Sequence, residues 1–121
     1  MARLIRRAPM LLACSLLVPA ALGGCGSGGP DDRTQIGSIV KDEGTRPASL
    51  CHHLTSSLLV RFGGLGNCLS RAASAAQDPS THAAAVSVRG HTATAVVRDR
   101  AGSRSITLVK QQGSWLISGV Q

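Results

Sequence analysis

The chain has 121 residues, a formal net charge of +7 and almost no aromatic side chains: one Phe, one Trp and no Tyr. This length supports one domain with a modest core. The basic residues are scattered and lack aromatic stacking partners, which argues against a nucleic-acid binder. No nucleophile motif, phosphate loop or metal-ligand spacing marks an enzyme or a metalloprotein.

The first segment carries the parts of an export signal. Arg3, Arg6 and Arg7 form a basic head, and Ala8 to Leu22 is apolar apart from the breaks at Pro9 and Pro19. The run is short for a transmembrane helix, which needs roughly 20 apolar residues. It ends in Leu22-Gly23-Gly24-Cys25. An aliphatic residue at −3, small residues at −2 and −1 and a thiol at +1 resemble the lipobox of a bacterial lipoprotein signal peptide. That resemblance implies removal of residues 1–24 and a diacylglyceryl thioether on Cys25. Two or more acyl chains, palmitate among them, would then hold the chain at the extracytoplasmic face of the cell membrane. Arg6-Arg7 leaves the choice between the general and the twin-arginine export routes open. The three signal arginines account for part of the +7, so the chain from Cys25 onward carries +4.

Residues 25–33, with Gly26-Ser27-Gly28-Gly29-Pro30-Asp31-Asp32 at their centre, read as a lipidated cysteine and a flexible polar tether. The folded domain is expected over 34–121. Thr34 to Glu43 predicts a short helix, with Ile36, Ile39 and Val40 at i, i+3, i+4 and Gly44 as its end. Pro47 opens a second helix whose stripe is Leu50, Leu54, Leu58 and Phe62. Gly63, Gly64 and Gly66 break it. Asn67 is the expected N-cap of a third helix, Cys68 to Ala76.

Cys14 falls in the signal and Cys25 takes the lipid, which leaves Cys51 and Cys68. In an oxidising compartment such a pair reads as a disulfide. A zinc site is the competing reading of Cys51-His52-His53 with Cys68. Adjacent residues on a helix point about 100° apart, so these ligands converge poorly, and no metal or cofactor is expected.

After Asp78-Pro79 the apolar period falls to two. Ala84–Arg89, Thr92–Arg98, Arg104–Lys110 and Ser114–Val120 predict four strands, with Gly90, Gly102 and Gly113 at the turns. Val86 and Val88 share a face; so do Ala93, Ala95 and Val97, then Ile106 and Leu108, then Trp115 and Ile117. Leu116 and Val120 are expected opposite Trp115. Helices first and strands second give an α+β domain, with short N-terminal helices packed on a curved four-stranded antiparallel sheet.

The series Cys51…Leu54-Thr55…Gly63-Gly64…Cys68, Val86-Ser87-Val88, Ala93-Thr94-Ala95-Val96-Val97 and Leu108-Val109-Lys110…Gly113-Ser114-Trp115-Leu116-Ile117…Val120 resembles small actinobacterial lipoproteins of the NTF2-like (cystatin-like, SnoaL-related) type. The likeness covers most of 34–121. It implies a cone-shaped pocket between the helices and the concave sheet face. That superfold hosts enzymes, binding modules and scaffolds alike, so it implies no activity.

Three functions follow as expectations. The leading one is a membrane-anchored, non-catalytic interaction or scaffold module, paired with an envelope protein or a second copy through Thr92, Thr94, Thr107 and Val109. The second is a site for a small apolar ligand or lipid fragment, lined by Leu54, Leu58, Phe62, Val97, Trp115 and Ile117. It requires a cavity of at least about 300 Å³. The third is SnoaL-like acid/base chemistry, for which His91 with Asp99, Asp78 with His82, or His52 and His53 are the only titratable pairs on offer.

Overall fold

A computed structural model describes residues 30–121; the expected signal peptide and Cys25 lie outside the described residues. The order is α1 (Pro30–Thr45), a 3-10 helix (Pro47–His52), α2 (Ser56–Arg61), α3 (Leu65–Ala73), β1 (His82–Arg89), β2 (Thr92–Asp99), β3 (Gly102–Gln111) and β4 (Ser114–Val120). The strands form one antiparallel meander in the order β1-β2-β3-β4. The expected α+β class with a four-stranded antiparallel sheet is the architecture observed.

The period-two pattern explains the sheet. On one face Val88, Ala93, Ala95, Val97, Ile106, Leu108, Trp115 and Ile117 are buried. Ile36, Ile39 and Val40 of α1 and Leu58 of α2 close over them. Each large apolar side chain so buried contributes roughly 1.5–3 kcal/mol. The other face carries Ser87, Thr94 and Thr107 in register, with Thr92, Val109 and Leu116 beside them.

Several expectations need correction. The first helix starts at Pro30 rather than Thr34, so residues 30–33 form its first turn and not the end of a tether. Pro at the first helical position and acids in the first turn suit that role. Gly44 does not end the helix. It is buried, and a Cβ there would lie 2.3 Å from the Asp78 carbonyl oxygen and 2.5 Å from Thr81. Its smallness lets the loop before β1 press against α1, where Asp78 N–H donates to the Gly44 carbonyl at 2.8 Å.

The second helix is not continuous. Between the 3-10 helix and α2, residues 53–55 run parallel to the edge of β4, bridged at Leu54 and Ile117. Ile117 N–H donates to the His53 carbonyl at 2.6 Å, and Thr55 N–H donates to the Ile117 carbonyl at 2.9 Å. The Thr55 hydroxyl then caps α2 by accepting from Leu58 N–H. Sheet edge and cap together outweigh the local helical spacing of Leu50, Leu54 and Leu58. Asn67 caps nothing: α3 begins at Leu65, and the Asn67 amide donates to the Phe62 carbonyl at 2.9 Å.

The strand β4 also departs from simple alternation. Its register with β3 slips after Ile117, so Val120 pairs with Ile106 and Gly119 with Thr107. That bulge moves Val120 to the helix side of the sheet, away from the Leu116 face.

Candidate functional site

The helices do not seal the sheet at the end where β2 turns into β3. There a half-open cleft of about 290 Å³ lies between the C-terminal end of α1, the 3-10 helix, α3 and the β2–β3 turn. Its walls include Leu50, Leu54, Phe62, Ala72 and the Cys51–Cys68 disulfide. Beside it, a second cavity of about 170 Å³ shares Leu50, Leu54 and Phe62 and adds Ile106, Ile117 and Val120. The two meet at Glu43 and Arg104, which border both.

Local sequence sets these walls. Pro47 starts the 3-10 helix and so turns the chain back after α1. The disulfide, with Cα atoms 5.9 Å apart, fastens that helix to α3. Phe62 follows the last residue of α2 and points inward while Val60, two residues earlier, is 74% exposed.

One polar cluster interrupts the apolar lining. Arg104 donates to the carboxylate of Asp99 at 2.5 Å and to that of Glu43. Burial pushes the Glu43 carboxyl above its ordinary value, although the Arg104 charge pulls the other way. Asp99 is held below the ordinary carboxylate value, chiefly by the Arg104 hydrogen bond. Asp78, at the rim, is lowered chiefly by accepting from the Arg100 backbone N–H, then from the Ser80 hydroxyl. Arg104 itself loses by burial, but its two carboxylates more than compensate and raise it. Both Arg104 terminal nitrogens are thus engaged. The Asp99 carboxylate accepts from Ala101 N–H as well as Arg104, whereas Glu43 is held through one oxygen. The cleft therefore combines apolar walls with the Glu43 carboxylate, held through one oxygen, and with Arg71, Asp78 and Thr81 at its border.

Of the residues expected to line a pocket, Leu54 and Phe62 border both cavities and Ile117 the second. Leu58, Val97 and Trp115 are core residues, buried to 5%, 0% and 1% exposure. Leu58 is taken inward by the break at Leu54, which restarts the helix on the β4 side. Trp115 sits at the far end of the sheet. Its indole N–H donates to Asp32 at 2.9 Å, and the Lys110 ammonium reaches the same carboxylate oxygen at 2.9 Å. Sequence reasoning missed Glu43, Asp99 and Arg104 as a unit. Glu43 and Arg104 are 61 residues apart, and no spacing connects them.

The titratable pairs raised as acid/base candidates are not assembled. His91 lies in the β1–β2 turn and Asp99 at the other end of β2. Eight residue steps along the strand separate them by roughly 26 Å. The His82 ring bonds the Ser80 carbonyl, and Asp78 is committed to Ser80 and Arg100. His52 and His53 border a shallow groove with Gln111, Gln112 and Leu116, remote from Glu43. Among the described residues no group of His, Cys, Asp and Glu forms a metal cluster, and no helix is long and apolar enough to cross a membrane. No family model, curated protein or solved structure matches the chain.

Proposed function

We propose that this chain is an exported, lipid-anchored module of NTF2-like type whose cleft binds a small, largely apolar molecule without transforming it. One observation carries the binding reading: a half-open cavity of about 290 Å³, walled by Leu50, Leu54, Phe62 and Ala72, in a domain of this size. The lipobox Leu22-Gly23-Gly24-Cys25 supplies the anchor and the extracytoplasmic location. The ligand's apolar body lies against the leucines and Phe62. Its polar end, a hydrogen-bond donor, meets the Glu43 carboxylate, which Arg104 holds through one oxygen.

The test is a titration with a neutral, environment-sensitive apolar dye. The wild-type chain is expected to bind it. Ala72→Phe, which projects a ring into the cleft from α3, is expected to weaken binding tenfold or more while the unfolding midpoint holds. Equal binding by the variant rejects the site.

The scaffold reading is favoured by a different observation. No described element packs on the outer face of the sheet, where Thr94 and Thr107 are paired neighbours next to Thr92 and Val109. A stable dimer seen by sedimentation, and lost in Thr94→Arg, would make that face the working surface.

A further inference from the structure

We infer that the anchor holds the domain with its cleft turned away from the bilayer that carries it, so that the cleft is loaded from the aqueous side or from a partner there. The inference rests on the proposed lipidation of Cys25 and extends it to the source of the ligand.

The N-terminal end of α1 is pinned at the β3–β4 end of the sheet, where Asp32 accepts from Trp115 and Lys110. Its C-terminal end is pinned at the opposite end, where Glu43 meets Arg104 and Gly44 meets Asp78. The helix thus runs lengthwise from the anchor side of the domain to the cleft side. From Pro30 to Glu43 it advances about 20 Å. The chain between Cys25 and Pro30 makes five Cα steps, at most about 18 Å when fully drawn out. With the cleft mouth pressed on the bilayer, Pro30 would stand about 20 Å or more above it, beyond that limit. The rim formed by Asp78 and the β2–β3 turn adds further height. End-on with the β3–β4 turn down, or tilted on a side, the domain fits the connection; mouth-down it does not.

The experiment uses the full lipidated chain, purified from membranes and reconstituted in vesicles of phosphatidylcholine and phosphatidylglycerol. Donor fluorophores are placed singly at Gln111→Cys, the exposed end of β3, and at Ala101→Cys, in the exposed β2–β3 turn at the opposite end. Acceptors are on the headgroups. Transfer is expected to be clearly stronger from 111 than from 101. Inserting a run of 15 Gly/Ser residues after Ser27 is expected to reduce that difference. Equal transfer, or stronger transfer from 101, overturns the orientation with the anchor intact. A difference untouched by the insertion overturns the role of tether length. If the chain lacks lipid mass on Cys25 and does not stay with vesicles, the lipoprotein reading fails, and this inference with it.

Discussion

Asp32 is the residue that turns an apparent linker into the first turn of a folded domain, and its removal is the most direct probe of where that domain begins. Its carboxylate accepts from the Trp115 indole and the Lys110 ammonium, each at 2.9 Å, and Lys110 also lies 5.8 Å from the Trp115 ring centroid. The Trp115 side chain is 1% exposed. Asp32→Ala strands its N–H in the core, which costs about 1–3 kcal/mol. Loss of the partly buried ion pair and of a negative charge at the helix N-terminus adds about 1 kcal/mol. The expected total is roughly 2–4 kcal/mol, a large part of the stability of a small domain. Asp32→Asn keeps an acceptor for the indole and is expected to cost about half as much. Urea titration followed by tryptophan fluorescence is well suited, because Trp115 is the only Trp and is itself the affected group. In Asp32→Ala its native emission should also shift. A cost under about 0.5 kcal/mol for Asp32→Ala would refute the reasoning and return residues 30–33 to a tether.

Other outcomes follow from the same contacts. Cys51→Ser and Cys68→Ser are each expected to cost about 3 kcal/mol, from the freed loop of the unfolded chain, with the double variant little worse; strictly additive losses in denaturant would contradict the bond. Gly44→Ala is expected to lower the midpoint, since its Cβ would meet Asp78 and Thr81 at 2.3 and 2.5 Å. The carboxyls of the cleft should divide by sign as pH falls. Asp78 and Asp99 have folded values below 3.8, so their contribution holds above the unfolded value and is lost as pH drops through the folded one. Glu43 is raised above 4.5, so its protonation on acidification favours the folded state. Urea midpoints should therefore hold or rise slightly from neutral pH to about 4 and fall steeply below. Glu43→Gln should remove the rise and keep the fall; a midpoint that declines steadily from pH 7 would contradict both signs.

The strands and the disulfide were legible because their signals are local. Alternating apolar residues between Gly90, Gly102 and Gly113 leave one antiparallel arrangement, and Cys51 and Cys68 are the two cysteines of the described residues. The departures arose wherever a distant partner overrode the local pattern. Leu50, Leu54 and Leu58 repeat as a helix would, yet the edge of β4 draws residues 53–55 into a bridge. Pro30-Asp31-Asp32 follows glycines and reads as linker, while Trp115 and Lys110 make it a helix start. Val120 changed face because the β4 bulge lies outside any period-two rule. The Glu43–Arg104–Asp99 cluster has no linear signature, since it joins the end of one helix to a hairpin at the other end of the chain. Of the expected pocket, Leu54, Phe62 and Ile117 stand at the cavities, Leu58 and Val97 serve the core, and Trp115, itself buried, borders a separate groove beside α1 with Thr34 and Ser38.

The measurement that bears most directly on the account is native mass spectrometry of the lipidated chain, released from membranes under non-reducing conditions. The account expects a chain starting at Cys25 with its lipid, lighter by the hydrogens lost in the Cys51–Cys68 bond. It also expects a small adduct that leaves on activation and is absent from Ala72→Phe. A lipidated chain that carries no adduct, and that binds no apolar dye when titrated, would contradict the ligand-binding claim.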